Sequence, residues 1–153
     1  MILWMKQVTD RSQNDVERAI ELLSKNWDEF TSDEKTEYLQ GLKGCLNETD
    51  LNRVQNNISL LSDVLELGLA VSSVPEIPMS DFYNEIISNV DTIRNSYMVH
   101  STTPQTPTAP LTAYQKWNDI EQILYDVYEI LLNNFNYYCG NEIYAGDETG
   151  LLL

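Results

Sequence analysis

An apolar stripe that recurs three times is the feature of this sequence that most restricts its fold. In each copy the apolar residues are spaced three, four, three and four positions apart, which is the spacing of one face of an α-helix. The copies are Leu51, Val54, Ile58, Leu61, Leu65; then Tyr83, Ile86, Val90, Ile93, Tyr97; then Trp117, Ile120, Leu124, Val127, Leu131. Three amphipathic helices could share this spacing by chance. Each first position, however, is followed by an asparagine, a charged residue and a β-branched residue, which favours a true internal repeat.

The polar residues of the repeat are Asn52, Asn84 and Asn118, followed by Arg53, Glu85 and Asp119. A side-chain amide near a helix N-terminus can bond to the backbone at a turn or across a helix pair. We therefore expect the asparagines to be structural and not to bind a ligand. Arg53 could pair with Glu48 or with acids on a neighbouring helix, and an exposed pair of this kind contributes about 0–1 kcal/mol.

Further helices are predicted around the repeat. A helix begins near Ser12, which forms a capping box with Asp15, and Val16, Ala19, Ile20, Leu23 and Trp27 line its apolar face. A shorter helix begins at the Thr31–Glu34 capping box, with Tyr38, Leu39 and Leu42 on its apolar side and Gly41 and Gly44 at its end. The first repeat helix is capped by Thr49 or Asp50 and runs to about Val71. Pro75 and Pro78 interrupt helix formation after it. The other two repeat helices span roughly 80–98 and 112–133.

These patterns predict an all-α protein, a bundle of four to five helices in which three long repeat helices pack antiparallel. We divide the chain into an extended lead (residues 1–8), a bundle (9–134) and an extended aromatic and glycine-rich tail (135–153). Within the bundle, residues 100–111 contain a proline at every third position, which is typical of a semi-rigid polyproline spacer. A ligand for an aromatic groove is the alternative for this segment. His100 at its edge is expected to be solvated.

Composition limits the partners. The chain has 24 acidic and 9 basic residues and a net charge of −15. Because nucleic-acid backbones and anionic membranes both attract clustered Lys and Arg, we expect neither as a partner. The apolar start Met1–Lys6 is too short for a signal peptide, so the chain is expected to be made in the cytoplasm.

We find no motif for chemistry. There is one histidine, and the two cysteines, Cys45 and Cys139, are far apart, so a metal site is not expected. No phosphate-binding loop or nucleophile motif is present. The sequence therefore predicts no catalytic, cofactor or metal residues, and a protein that is not an enzyme.

Apolar residues at the two chain ends are candidates for binding a partner. They are Trp4, Ile143, Tyr144, Leu151, Leu152 and Leu153. A buried leucine contributes about 1.5–3 kcal/mol, so the tail either folds back on the bundle or attaches to another chain. The second outcome is favoured here for the tail, whereas packing on its own domain is the commoner outcome for Trp4.

Over roughly residues 9–65, the sequence resembles small structural proteins of tailed bacteriophages and prophages of Gram-positive bacteria, encoded with tail and baseplate components. The shared residues are Trp27, Glu34, Leu39, Gly41-Leu42-Lys43-Gly44, Asn47, Thr49-Asp50-Leu51-Asn52-Arg53-Val54 and Asn57-Ile58, with a similar ending at Glu142–Gly146. This chain departs from the pattern at Gln55, where the family has Glu. The second and third repeats also carry acids in place of Arg53, which puts any family Arg–Glu pairing in doubt.

The resemblance implies a non-enzymatic part of a virion tail, baseplate or tail-like particle, present in several symmetric copies and bound to other tail proteins and to itself. Two alternatives remain open. The charge would suit a soluble DNA-mimic inhibitor, and a tail-assembly chaperone would share the genomic setting but be absent from the finished particle.

Overall fold

The computed structural model describes residues 2–140, with side chains to Phe135. Five α-helices follow one another: α1 (Gln13–Leu23), α2 (Ser32–Gln40), α3 (Glu48–Val64), α4 (Ser80–Ser96) and α5 (Tyr114–Gly140). A single 3₁₀ turn, Trp27–Glu29, precedes α2. These residues include no β-strand, which confirms the all-α helical bundle. None of the helices among them is long and apolar enough to span a lipid bilayer.

The three long helices run parallel, so the predicted antiparallel packing is wrong. At their starts, the rings of Tyr83 and Trp117 lie 6.1 Å apart, and Arg53 contacts Glu121 at 2.8 Å. At the other end, the Tyr97 hydroxyl lies 2.8 Å from Asn134. The reason lies in the linkers. An extended segment 65–79 can span about 50 Å, whereas the 17-residue helix α3 is only about 25 Å long, so the chain returns to the starting end before α4 begins.

The repeated stripes form the main core. Each helix contributes inward-facing residues that are buried: Leu51, Val54, Ile58 and Leu61 from α3; Ile86, Val90 and Ile93 from α4; Trp117, Ile120, Leu124 and Val127 from α5. The outer stripe positions Leu65, Tyr83, Tyr97 and Leu131 pack against this core. Because the helices are parallel, equivalent positions of the repeat lie at the same level, and Leu51, Tyr83 and Trp117 all belong to the starting end.

Three extended segments, here called straps, lie along the grooves between these helices. Strap 1 (residues 2–11) lies between α3 and α5, strap 2 (65–79) between α3 and α4, and strap 3 (97–113) between α4 and α5. Each one runs from the C-terminal towards the N-terminal end of the helices. The bundle is therefore built from three strap-and-helix units arranged around a pseudo-threefold axis.

Strap 2 corrects the predicted end of the first repeat helix, which is Val64 and not Val71. The backbone turns out of the helix at Glu66 and Gly68, whose φ angles are 54° and 61°. Leu65, Leu67, Leu69 and Val71 then pack on the core at alternate positions. This spacing of two is typical of an extended chain. The same leucines are also compatible with the spacing of a helix, but in the structure they follow the extended pattern.

Strap 3 shows that residues 100–111 are not a free spacer. The buried Thr103 hydroxyl donates to Asp126 of α5, and the Pro104 carbonyl accepts a 2.7 Å hydrogen bond from Arg94 of α4. Polar pairing of this kind ties the polyproline-like chain to both helices. His100 is exposed, as expected, and α5 begins at Tyr114 instead of Thr112.

A small lobe (residues 13–46) is inserted between strap 1 and α3. Its two predicted capping boxes, Ser12 with Asp15 and Thr31 with Glu34, are confirmed. Ala19, Leu22, Phe30 and Leu42 form its own core. Gly44 lies so close to α1 that a Cβ there would sit 2.0 Å from the Asp15 carbonyl oxygen. The lobe thus has a core separate from that of the bundle.

The caps and ends of two long helices also differ from prediction. The N-cap of α3 is Asn47, whose backbone N–H donates to Asp50 at 3.0 Å, so neither Thr49 nor Asp50 is the cap. Residues 135–140 belong to α5, so the predicted extended tail is wrong there, while 141–153 lie outside the described residues. By the register of the repeat, α3 and α4 end opposite Ile130. The remainder of α5 therefore projects about 15 Å beyond them.

Candidate assembly surfaces

Asparagine side chains hold strap 1 in its groove. The Asn57 amide accepts from the Met5 N–H at 2.9 Å and donates to the Met5 carbonyl at 2.8 Å. Asn118 does the same with Arg11, at 3.2 and 2.9 Å. Each amide therefore satisfies both polar groups of one strap residue, much as a neighbouring β-strand would.

A related device holds strap 2. Asn89 of α4 occupies the position that corresponds to Asn57, six residues after the first stripe residue, and it donates to the Ala70 carbonyl of strap 2 at 2.9 Å. Gln55 and Glu121 also occupy equivalent positions, and they bind Ser72 of strap 2 and Val8 of strap 1. Strap clamping is thus part of the repeat itself.

The predicted structural asparagines only partly match these clamps. Asn118 bonds to backbone as expected, but Asn52 and Asn84 are exposed on the outside of their helices. The asparagines that bind the straps from equivalent positions of the repeat are Asn57 and Asn89. Their equal offset from Leu51 and Tyr83 was visible in the sequence and could have identified them.

A buried cluster of four charges closes the starting end of this groove. Arg11 of strap 1 contacts Asp50 at 3.1 Å and Glu121 at 2.8 Å. Arg53 reaches the same two carboxylates from α3. Glu121 also accepts from the Val8 N–H at 2.7 Å. The cluster joins strap 1, α3 and α5, and its two guanidinium groups balance its two carboxylates.

The pKa values in the cluster follow from this pairing. Burial by itself would raise the pKa of Asp50, but hydrogen bonds from Asn47 and Arg53 and the charges of Arg11 and Arg53 together lower it. Burial would lower the pKa of Arg53, but its hydrogen bonds to Glu121 and Asp50 raise it. The predicted pairing of Arg53 with an acid of a neighbouring helix is present. Because the site is largely buried, the small value expected for an exposed pair does not apply.

An apolar surface on the small lobe is formed by Ile20, Leu23 and Trp27, which are 62%, 56% and 48% exposed. We call it the α1 surface. These residues were predicted to face a core, but α1 is rotated so that Ala19 and Leu22 face inward instead. The reason is that Ala19 and Leu22 pack with Phe30 and Leu42 in the core of the lobe, which turns the opposite side of α1 outward.

A second apolar surface is the open groove between the C-terminal ends of α3 and α5. It has a volume of about 220 Å³ and is lined by apolar side chains that include Leu61, Val64, Tyr128, Leu131, Leu132 and Phe135. Phe135 is 65% exposed and Val64 57% exposed. The groove therefore presents a concave face with almost no polar group on it.

Of the terminal residues predicted to bind a partner, the structure describes only Trp4. Its ring stacks on Tyr128 with the centroids 4.2 Å apart and the planes 8° apart, so it packs on its own domain. Ile143, Tyr144, Leu151, Leu152 and Leu153 lie outside the described residues.

The part of the chain that the structure covers also bears on metal binding and on the thiol of Cys45. It contains no group of three or more His, Cys, Asp and Glu side chains that could hold a metal ion. Cys45 is partly buried, which raises the pKa of its thiol.

Comparison of the chain with protein-family models, with curated proteins and with solved structures finds no match.

Proposed function

We propose that this protein is a structural subunit of a tailed-phage particle, which acts by binding other tail or baseplate proteins and further copies of itself. The α1 surface carries the proposal, because Ile20 and Leu23, one turn apart on α1, are more than half exposed, and Trp27 of the following 3₁₀ turn is 48% exposed. The resemblance of residues 9–65 to small phage structural proteins supports it, and the α1 surface lies within that stretch.

The free energy available from burying the side chains of the α1 surface supports its role as a contact surface. Full burial of a side chain such as leucine contributes about 1.5–3 kcal/mol, and two of the three lie on one face of a single helix. Contiguous exposed apolar patches mark interaction sites in soluble proteins. Covering Ile20, Leu23 and Trp27 with another subunit would recover that free energy.

The position of the lobe suits attachment. It has its own core, and it joins the bundle through strap 1 and the Asn47 cap. A partner that bound the lobe would leave the clamps and the charge cluster of the bundle undisturbed. The bundle then serves as a rigid body and the lobe as its connector.

The test is quantitative mass spectrometry of purified particles from a lysate. We expect the chain at a fixed copy ratio to the tail-tube protein. Absence from particles, with abundance in the lysate, would overturn the structural function and favour a tail-assembly chaperone.

A matched pair of variants tests the α1 surface. Leu23→Asp should abolish incorporation, whereas Leu39→Asp, at an apolar residue that is 75% exposed elsewhere on the lobe, should not. Both should keep the helical circular dichroism of the wild type. Incorporation of Leu23→Asp at the normal ratio would show that the α1 surface is not the attachment site.

The net charge of −15 favours a second candidate, a DNA-mimic inhibitor of a basic DNA-binding protein. Such binding is electrostatic, so it should dissociate at about 0.5 M salt, where the Debye length falls to a few ångströms. A complex that survives this salt would rule this candidate out.

A further inference from the structure

A cleft opens at the starting end of the bundle, between the first turn of α3 and the last residues of strap 2. We call it the α3 cleft. It has a volume of about 580 Å³, and the carboxylates of Glu48 and Glu76 are part of its lining. The rest of the lining is apolar and comes from Leu46, Leu51, Val74, Pro75, Pro78 and Tyr83. Pockets that bind ligands commonly enclose about 300–1,000 Å³, so the size of this cleft suits a ligand group.

The repeat places a matching cleft, here called the α4 cleft, between α4 and strap 3. Its volume is about 600 Å³, and Ser80 and Tyr83 line it at the positions that correspond to Glu48 and Leu51. None of the described residues that line it is charged. The two clefts therefore occupy the same place in the repeat and have nearly the same volume, but only the α3 cleft is acidic.

In the first unit the corresponding place is filled by strap 1. Asn118 bonds to both the N–H and the carbonyl of Arg11. The guanidinium group of Arg11 contacts Asp50 and Glu121. This place in the fold therefore accommodates an extended segment with a basic side chain that pairs with two carboxylates.

Strap 2 carries an acid where strap 1 carries this arginine. Asn57 and Asn89 occupy equivalent positions of the repeat and hold Met5 and Ala70. Arg11, six residues after Met5, thus corresponds to Glu76, six residues after Ala70. Both Glu76 and Glu48 are exposed. Strap 1 closes its site with a buried cation, whereas strap 2 leaves an open acidic cleft.

We propose that the α3 cleft binds an extended segment of a partner protein that carries an arginine or lysine beside apolar residues. The basic side chain complements Glu48 and Glu76, and none of the described residues that line the cleft is basic. Ile77 and Met79, on either side of Pro78 in the chain, are 75% and 70% exposed, and they extend the apolar surface available to the segment. The inference does not rest on the proposed function, because it does not involve the α1 surface.

A segment of protein matches the cleft better than a metal ion does. Within the described residues there is no group of three or more His, Cys, Asp and Glu side chains that could hold a metal ion, and most of the cleft lining is apolar. The methylene groups of arginine or lysine pack on apolar surface while the charged end stays at its polar edge. One side chain therefore satisfies both kinds of surface in the cleft.

Binding of defined peptide mixtures to the full chain tests the proposal. Three fluorescent mixtures of acetylated hexapeptides carry arginine, glutamine or glutamate at one fixed position and random apolar or small neutral residues elsewhere. By fluorescence anisotropy, we expect the arginine mixture to bind about tenfold more tightly than the glutamine mixture, and the glutamate mixture to bind most weakly. Equal binding of all three mixtures, or no binding of the arginine mixture, would overturn the proposal.

A pair of variants with the same change in net charge separates the cleft from the overall charge of the protein. Glu76→Lys should weaken binding of the arginine mixture by about tenfold or more. Asp63→Lys, at an exposed residue near the opposite end of α3, should leave it within about twofold. Both variants should keep the helical circular dichroism of the wild type. Equal losses would mean that the peptides respond to net charge and not to the α3 cleft.

Amide chemical shifts locate the bound peptides. The arginine mixture should shift the signals of residues 48–52 and 74–79 and leave those of residues 109–112, at the α4 cleft, unchanged. Shifts confined to the α4 cleft or to the α1 surface would contradict the proposal. So would self-association of the free protein that Glu76→Lys abolishes, which would assign the cleft to a second copy of the chain.

Discussion

The bundle and the small lobe carry the same sequence signal with opposite results. In α3, α4 and α5 the apolar stripe is buried, with Val54, Ile86 and Ile120 fully enclosed. In the lobe an equally regular stripe leaves Ile20 and Leu23 of α1 and Trp27 of the 3₁₀ turn at the surface. A helical stripe therefore establishes that a helix has an apolar side, and the surrounding chain determines whether that side is covered.

The difference comes from how many neighbours each helix has. Each bundle helix is flanked by two others and by two straps, which cover it on several sides. The lobe has only two short helices and a 3₁₀ turn. So small a unit buries a smaller share of its surface than a larger domain does. Ala19 and Leu22 of α1 pack into its core, and the opposite apolar side is left uncovered by the described residues.

The largest effect is expected from breaking the charge cluster. Glu121→Gln removes a charge that faces both Arg11 and Arg53, and leaving such groups without their partner should reduce the free energy of unfolding by about 3–5 kcal/mol. Urea denaturation followed by circular dichroism measures it. Glu37→Gln, in an exposed pair with Arg18 on the lobe, is the control and should change little. Equal losses from both variants would contradict the contrast between buried and exposed charges.

A change in the lobe core should remain confined to the lobe. Leu22→Ala deletes most of a fully buried side chain, and such deletions cost about 2–5 kcal/mol. Because the two cores are separate, amide hydrogen exchange should accelerate in α1 and α2 while α3 to α5 keep their protection. Uniform acceleration across the chain would mean that lobe and bundle fold as one unit.

The strap clamps give a smaller effect. Asn57→Ala leaves the N–H and carbonyl of Met5 without their partners, which should cost about 1–3 kcal/mol and raise amide exchange in strap 1. The control is Asn84→Ala, at an exposed asparagine, which should stay within about 0.5 kcal/mol of the wild type. If both variants behave alike, the clamps are not what holds strap 1.

The smallest effect is the pH dependence of Asp50. The folded protein lowers its pKa below the ordinary value of 3.8, so its contribution to stability is present above that value and is lost as the pH falls through the folded pKa. The difference in unfolding free energy between wild type and Asp50→Asn should be constant above about pH 5 and shrink on further acidification. A difference that does not change with pH would exclude this linkage.

Local features were predictable from sequence, and long-range ones were not. The stripes of the repeat helices and the capping boxes at Ser12 and Thr31 depend on residues within a few positions of one another. The parallel arrangement depends on linker length, and Leu65 to Val71 satisfy both a helical and an extended pattern. The charge cluster unites Arg11, Asp50 and Glu121, which no local spacing connects. The outward rotation of α1 depends on packing against Phe30 and Leu42, which its own stripe does not specify.

The clamps on strap 1 also determine when this strap can dock during synthesis of the chain. Val8 and Arg11 bond to Glu121, which is 113 and 110 positions later in the chain. At roughly 5–20 residues per second, the first strap leaves the ribosome on the order of 5–20 s before its partners on α5. Strap 1 therefore reaches its place only after α5 has been made, although it precedes α5 by more than a hundred residues.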